Sequence, residues 1–173
     1  MPIRLAVPSD GESIARVHVL AWQETYEGLM PQDFLNSLSV SQRLGRWTEV
    51  LSMPSQSGLS CVALDGAGQI CGFAHLGVAR DAVLAGIPEL YCIYILRANQ
   101  RCGLGLGMVA CLASARAAQG NSSHEFYAWV LRDNRAVSWY QKMGGRKVNQ
   151  KTTTIGGRSL LEDAYVIPWP KGS

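Results

Sequence analysis

With 173 residues, of which 47% are hydrophobic and 17% charged, the chain has the composition of one globular domain over residues 1–173 and not of a disordered protein. Its formal net charge of +3 includes no block of Lys and Arg, which argues against nucleic acid as a partner and suits one local site for an anionic ligand. The chain shows no signal-peptide pattern and no apolar run as long as a membrane span, which argues against a secreted or membrane protein.

The first third of the chain is predicted to be mainly helical. Residues 3–7 predict a short strand, and the segment after it predicts a helix with one apolar face. The "GLMPQ" stretch at residues 28–32 breaks this helix, and two further helical regions follow over residues 32–39 and 39–52.

Strands predominate in the middle of the chain. Residues 57–65 and 69–79 lie on either side of a "GAG" turn, and the first of them alternates between apolar and polar positions, which predicts a hairpin. Residues 89–96, "ELYCIYIL", are apolar on both faces, which is typical of a strand at the centre of a sheet.

The last part of the chain alternates helices with strands. Its predicted elements are a helix over 104–119, a strand over 125–131, a short helix over 133–144 and a closing hairpin of 146–155 with 158–167. The strand–helix–strand order around the 104–119 helix predicts one parallel pair. The whole pattern therefore predicts a mixed α/β fold.

The segment Gln100–Gly107, "QRCGLGLG", joins the central strand to the 104–119 helix. A Walker A loop is excluded because the segment has no Lys-Ser or Lys-Thr pair. A dinucleotide-binding fingerprint is disfavoured because Met108 stands where the third glycine is required. A plain helix start that needs glycine for its turn stays open as an alternative.

A phosphate cradle explains this segment best. Gly103 and Gly105 let a ligand approach the backbone, and the free amides at the start of the following helix attract anions. Arg101 adds positive charge beside them. The sequence therefore predicts a pyrophosphate site at this loop.

These segments resemble the GNAT superfamily, the GCN5-related N-acetyltransferases. Residues 100–105, "QRCGLG", match its motif Q/R-x-x-G-x-G/A, and residues 129–145, "WVLRDNRAVSWYQKMGG", resemble its second signature. Residues 21–35 resemble its first helices, and residues 152–167 resemble the closing hairpin of one bacterial branch. The chain departs from the family at the second and third loop positions, where Arg and Cys replace the common Gly and Lys.

The resemblance implies the GNAT acyl-CoA N-acyltransferase fold, a central and mostly antiparallel sheet with a splayed parallel pair, flanked by helices. It also implies an enzyme, an N-acetyltransferase that moves the acetyl group of acetyl-CoA to a primary amine by direct attack, without a metal. A module on the same fold that binds or senses acyl-CoA without turnover is the alternative, because a fold does not determine a function.

The resemblance further implies where acetyl-CoA binds. The loop residues implied in pyrophosphate binding are Gln100, Arg101, Cys102, Gly103, Leu104, Gly105 and Leu106. The pantetheine arm would pair with the freed edge of the central strand at Ile93, Tyr94 and Ile95, whose amides could also polarise the thioester carbonyl. Asn134 would contact the pantetheine region, and it is also suited to capping the short helix.

Acetyl transfer needs a proton donor for the leaving thiolate and a base for a protonated amine. Tyr140 matches the family's general-acid tyrosine, and with a pKa of about 10 such a side chain is protonated at neutral pH. Core packing beside Trp139 is the alternative role of Tyr140. Glu89 is the first candidate base, acting through water, with a solvated strand end as the alternative. His75 is the second candidate, with packing in the strand as the alternative.

The acceptor pocket is implied to include Trp22, Tyr26 and His75, although core packing explains Trp22 equally well. Arg80 and Asp81 predict an ion pair or a turn at a strand end. The acceptor itself is open: a small polyamine, an antibiotic, an amino acid, a peptide N-terminus and a protein lysine all fit.

Five cysteines without a CxxC pair argue against a disulfide framework and a zinc site. They predict small reduced core residues in a cytoplasmic protein. A homodimer through the closing hairpin stays open.

Overall fold

The computed structural model of the protein describes residues 1–121 and 123–170. The helices are α1 (Gly11–Tyr26), α2 (Gln32–Asn36), α3 (Val40–Ser52), α4 (Leu104–Ala118) and α5 (Ala136–Lys142). The strands are β1 (Ile3–Leu5), β2 (Gly58–Leu64), β3 (Ile70–Gly77), β4 (Glu89–Ile95), β5 (Glu125–Leu131), β6 (Arg146–Ile155) and β7 (Arg158–Pro168).

The strands form one seven-stranded sheet in the order β1-β2-β3-β4-β5-β7-β6. Every neighbouring pair is antiparallel except β4 and β5, which α4 connects and which run parallel. Helix α4 packs on one face of the sheet, and α1 packs with α3 on the other. The predicted mixed α/β fold, with helices around a mostly antiparallel sheet, is confirmed.

The parallel pair is splayed, as the family resemblance implies. Strands β4 and β5 have seven residues each but share one residue pair, Glu89 with Tyr127. On its other side β5 is paired with β7 along its whole length, from Glu125 to Leu131. Strand β4 therefore leaves β5 at its first residue, and a gap opens between the two strands.

A β-bulge in β4 changes which side chains face each layer. His75 of β3 pairs with Cys92, but the next residue of β3 pairs with Leu90, so Tyr91 is the extra residue. Because of this insertion Leu90 and Ile93 both pack in the core under α4. Cys92 instead packs in the core under α1 and α3.

The two cores lie on opposite faces of the sheet. Under α4 the fully buried side chains include Met108, Val109 and Leu112. Under α1 and α3 they include Ile14 and Phe73. Burial of an aliphatic or aromatic side chain of this size contributes about 1.5–3 kcal/mol, so the two faces stabilise the sheet from both sides.

The predicted elements occur in the predicted order, with small shifts at their ends. Strand β1 ends at Leu5 because a 3-10 turn starts at Pro8. Helix α5 starts at Ala136, three residues later than predicted, because Asn134 forms a turn before it. In the described part of the chain, no helix is both long and apolar enough to cross a membrane.

We expect Gly145→Ala to destabilise the protein by about 1–3 kcal/mol, as overpacking does. A Cβ at this position would lie 2.6 Å from the carbonyl oxygen of Tyr140, a backbone atom that cannot move without α5. Urea unfolding curves measure the change. The matched control is Gly66→Ala, where a Cβ meets no atom within 4 Å, and equal midpoints for the two variants would contradict the prediction.

Candidate functional site

The start of α4 is an open, positively polarised helix end. Gly103 has a φ of +79°, which favours glycine, and a Cβ there would meet no atom within 4 Å. Arg101 is also left-handed, with a φ of 62°. The first helical bond joins the amide of Gly107 to the carbonyl of Gly103 at 3.0 Å. Among the described residues, no backbone carbonyl accepts from the amides of residues 101–106, so they can bind an anion.

The other two glycines of this segment lie against side chains of other elements. A Cβ on Gly105 would lie 3.1 Å from the indole ring of Trp139. A Cβ on Gly107 would lie 2.5 Å from Cδ1 of Ile3. Of the two glycines predicted to admit a ligand, only Gly103 faces open space, whereas Gly105 is covered by the side chain of α5.

Two polar side chains of the loop donate hydrogen bonds to nearby backbone carbonyls. The side-chain amide of Gln100 donates to the carbonyl of Ile95 at 2.9 Å, which ties the loop to the end of β4. The thiol of Cys102 donates to the carbonyl of Gln100 at 3.4 Å. Cys102 is exposed, so the prediction that all the cysteines are core residues is wrong at this position.

The edge of β4 that faces the gap carries free backbone groups. The amide of Leu96 donates to the carbonyl of Cys71 in β3 at 2.9 Å. Because hydrogen-bonded positions alternate along an antiparallel pair, the backbone groups of Ile93 and Ile95 face away from β3 and toward the gap. Tyr94 bonds to β3 instead, so two of the three predicted strand residues present their backbone to a ligand.

Tyr140 lies in the core beneath the sheet, with 5% of its surface exposed. Burial, and then the nearby Tyr26 and Cys92, raise the pKa of its hydroxyl above the ordinary value of 10. Tyr140 belongs to the same core as Ile93 and Ile95 of β4. Among the described residues no group bonds to this hydroxyl, and at neutral pH it carries its proton.

Asn134 performs the capping role that the sequence predicts. It is buried, and its Oδ1 accepts from the amide of Ala136 at 2.9 Å, at the start of α5. Burial raises the pKa of the Tyr26 hydroxyl, and the nearby side chain of Asn134 partly offsets that rise. Asn134 thus lies at the C-terminal end of β5, beside the gap.

Glu89 is not a free base. Its side chain is 1% exposed, and it accepts from the amide and Nε of Arg80 at 3.1 Å each and from the hydroxyl of Tyr127 at 2.7 Å. A terminal nitrogen of Arg80 also bonds to it. Burial raises its pKa, but the bonds from Arg80 and Tyr127 outweigh burial, and the pKa is lowered. The predicted solvated strand end is wrong. Arg80 forms its ion pair with Glu89 and not with Asp81, whose Oδ1 accepts from the amide of Val83 in the turn that follows, so the predicted turn is present.

His75 is a packed strand histidine. Burial lowers its pKa to about 4, and its Nδ1 lies 2.8 Å from the hydroxyl of Ser60. Its ring lies 5.3 Å from that of Tyr91. A group with so low a pKa is a weak base at neutral pH, which favours the packing role that the sequence left open.

Trp22 and Tyr26 lie beside the far end of the gap. The hydroxyls of Tyr26 and Tyr94 are 3.0 Å apart, and the rings of Trp22 and Tyr26 are 4.9 Å apart. Arg43 lies 5.0 Å above the indole of Trp22. Among the described residues, the indole nitrogen of Trp22 is the one buried side-chain polar atom without a partner. These aromatics pack against one another and do not line the cavity described next, so their place in an acceptor pocket stays a prediction.

A cavity of about 530 Å³ opens where β4 and β5 part. Its lining residues are Arg80, Asp81, Ala82, Glu89, Tyr91, Trp129, Lys151 and Glu162. The sequence did not point to Trp129, Lys151 or Glu162, because they meet only through the pairing of β5 with β7 and of β7 with β6. The one available signal was the same-face position of Trp129 and Tyr127 on β5.

A family model described as an acetyltransferase (GNAT) domain matches residues 56–144. The chain is also 33% identical, over 168 residues, to an uncharacterized N-acetyltransferase, YuaI, of Bacillus subtilis. That match covers 97% of this chain and 92% of the Bacillus protein.

Solved structures share the fold at low identity. A ribosomal-protein-alanine N-acetyltransferase from Brucella melitensis superposes with a TM-score of 0.72 at 19% identity, over 97% of this chain and 99% of its own. YncA, a putative acetyltransferase from Salmonella typhimurium solved with its cofactor acetyl-CoA, superposes with a TM-score of 0.68 at 19% identity, over 100% and 96% of the two chains.

We expect Glu89→Gln to lower the free energy of unfolding at pH 7 by about 1–3 kcal/mol, because it weakens bonds to a buried charge. The pKa of Glu89 is lowered from 4.5 in the folded chain. Its carboxylate therefore stabilises the fold above about pH 4.5, and this contribution disappears as the pH falls through the lower folded pKa.

The difference between wild type and Glu89→Gln should accordingly shrink below pH 4.5 in urea unfolding measured from pH 7 to pH 3. Glu12→Gln is the control, since Glu12 forms an exposed pair with Arg16 and should show little difference at any pH. A difference for Glu89→Gln that stays constant with pH would mean that its charge does not stabilise the fold.

Proposed function

Because this chain belongs to the GNAT acetyltransferase family and is thereby an acyltransferase, we propose that it transfers the acetyl group of acetyl-CoA to a primary amine by direct attack. One observation carries the proposal: β4 leaves β5 after the single pair Glu89–Tyr127, and the other end of β4 leads into the open start of α4. A structural neighbour solved with acetyl-CoA supports the choice of donor.

The start of α4 fits the pyrophosphate of acetyl-CoA. The amides of residues 101–106 converge there without backbone acceptors among the described residues, and the helix dipole adds favourable potential. Gly103 leaves the approach open, and the exposed Arg101 supplies a positive charge. We assign pyrophosphate binding mainly to the backbone of residues 101–106, with Gln100 bracing the loop from Ile95.

The gap between β4 and β5 fits the pantetheine arm. Ile93 and Ile95 turn backbone groups into the gap, and a ligand with amide groups can pair with them as an added strand would. Asn134 offers its side-chain nitrogen from the C-terminal end of β5. The carbonyl of Ile95 already accepts from Gln100, so the amides of Ile93 and Ile95 and the carbonyl of Ile93 are the groups that we assign to the arm.

Acetyl-CoA supplies the activated acetyl group as a thioester. The amides of β4 that face the gap can polarise its carbonyl, and Tyr140 can give its proton to the leaving sulfur, whose thiol has a pKa of about 8.5 by analogy with cysteine. Glu89 and His75 are both occupied by other groups. We therefore infer that the amine reacts from its neutral fraction without a dedicated side-chain base, that the proton which its nitrogen loses passes to water, and that water returns a proton to Tyr140.

We expect Tyr140→Phe to lower kcat about 10²- to 10⁴-fold, the usual contribution of a general acid, while acetyl-CoA affinity changes little. Initial rates of thiol release and a binding titration measure the two quantities. Tyr165→Phe is the matched control, because Tyr165 lies in the same core with the same 5% exposure. Equal kcat values for the two variants would remove Tyr140 from the mechanism.

We expect Gly103→Glu to abolish acetyl-CoA binding in a calorimetric titration, because bulk and negative charge would enter the anion site together. Gly120→Glu is the matched control: Gly120 follows the other end of α4, has a φ of +78° and also faces open space. NAD serves as the ligand control.

The outcomes separate the alternatives. Retained affinity in Gly103→Glu would place the pyrophosphate elsewhere. No binding by the unmodified protein would overturn the proposal as a whole. Binding without acetylation of any amine would favour a module that binds acyl-CoA without turnover.

A further inference from the structure

The cavity at the parting of β4 and β5 presents a fixed guanidinium. Arg80 uses its Nε and one terminal nitrogen on the buried Glu89. Its guanidinium lies 4.2 Å from the ring centroid of Tyr91. Among the described residues, no group accepts from its other terminal nitrogen, and 63% of the side chain is exposed. Arg80 therefore offers free donors from a position that two neighbours hold.

The support beneath Arg80 is itself fixed. The hydroxyl of Tyr91 donates to the carbonyl of Val78 at 2.6 Å. The ring packs so closely on Gly77 that a Cβ on this glycine would lie 2.6 Å from the ring atoms. A guanidinium that is pre-positioned in this way loses little side-chain entropy when it binds a planar anion.

Lys151 supplies a second cation to the same cavity. Its Nζ lies 3.9 Å from the ring centroid of Trp129 and 3.6 Å from Oε2 of Glu162. This separation is longer than a hydrogen bond, so the ammonium group keeps donors for a ligand. The side chain of Lys151 is 47% exposed, and that of Glu162 is 19% exposed.

The cavity lining thus has two cations, Arg80 and Lys151, and three carboxylates. Glu89 is bonded to Arg80 and Tyr127, Asp81 accepts from the amide of Val83, and Glu162 lies 3.6 Å from Lys151. The free donors of Arg80 need an acceptor on the ligand, which a fully protonated polyamine does not have. A molecule that carries both a carboxylate and an amine matches this distribution of cationic and acidic side chains in the cavity. A carboxylate is also the planar anion that a guanidinium binds best.

We propose that this cavity binds the acceptor through a carboxylate, so that the substrate is an amino acid or a closely similar amino carboxylic acid. This inference rests on the acetyl transfer proposed above. Arg80 binds the carboxylate, Lys151 adds to the positive potential, and Glu162 faces the ammonium form of the amine. The amine end then lies toward the gap, between Tyr91 on β4 and Trp129 on β5, where the strands separate.

The test compares amino acids with their carboxamides, which keep the amine and the side chain but lose the negative charge. The standard amino acids and their carboxamides are assayed as acceptors with acetyl-CoA. We expect kcat/KM for the preferred amino acid to exceed that of its carboxamide roughly 10- to 100-fold, the strength of hydrogen bonds to a charged group. Equal use of both forms would overturn the inference.

Two variants assign this preference to the cavity. Arg80→Gln combined with Glu89→Gln removes the guanidinium without leaving a buried unpaired carboxylate, and Glu89→Gln alone is its control. Lys151→Gln is compared with Arg16→Gln, which removes an exposed cation paired with a carboxylate on α1. We expect the double variant to lose most of the preference for the acid, Glu89→Gln alone to lose only part of it because Arg80 keeps its charge but not its support, and Lys151→Gln to lose it several-fold, while Arg16→Gln keeps it. An unchanged preference in the double variant would place the carboxylate elsewhere.

A binding measurement separates this inference from the proposed transfer. Calorimetric titration of the preferred amino acid, or of the whole amino acid set if none is acetylated, is performed on the protein loaded with CoA. Binding of the acid but not of its carboxamide supports the inference even without turnover. Failure of every amino acid to bind a protein that does bind CoA would overturn the inference and leave the donor site intact.

Discussion

The buried carboxylate of Glu89 fixes the point at which β4 and β5 meet. It receives hydrogen bonds from Arg80 before β4 and from Tyr127 in β5, at the residue where the two strands have their one pair. Beyond this pair the strands separate, and the gap for a ligand arm begins. The position of the gap and the direction of Arg80 therefore depend on a single ionised group.

Burying a charge is costly unless its bonds are complete, and here every bond also has a structural consequence. The same bonds that lower the pKa of Glu89 orient the guanidinium at the cavity and anchor the tyrosine of β5. Tyr91, the extra residue of the bulge, lies two residues after Glu89, and its ring packs under the guanidinium of Arg80. A carboxylate that resembles a base in the sequence is thus better described as the support of the acceptor side of the site.

The sequence predicted the order of the elements well because each strand and helix carries its own periodicity. It also predicted the loop before α4 and the position of Tyr140, which depend on short motifs. It did not predict the cavity, whose residues come from distant segments that meet only through the sheet order. Tyr127, the hydrogen-bond partner of Glu89 on β5, is 38 residues away in the sequence, so no local pattern predicts this contact. The contact at Gly105 likewise comes from Trp139, on another helix.

That contact couples the two ends of the donor site. Trp139 rests against the bare Cα of Gly105, and the next residue of α5 is Tyr140. This contact between α4 and α5 therefore helps to fix the span from the amides that we propose bind pyrophosphate to the hydroxyl that we propose donates a proton. In the proposed mechanism such a fixed span selects thioesters by the number of atoms between their sulfur and their phosphates, whatever acyl group they carry.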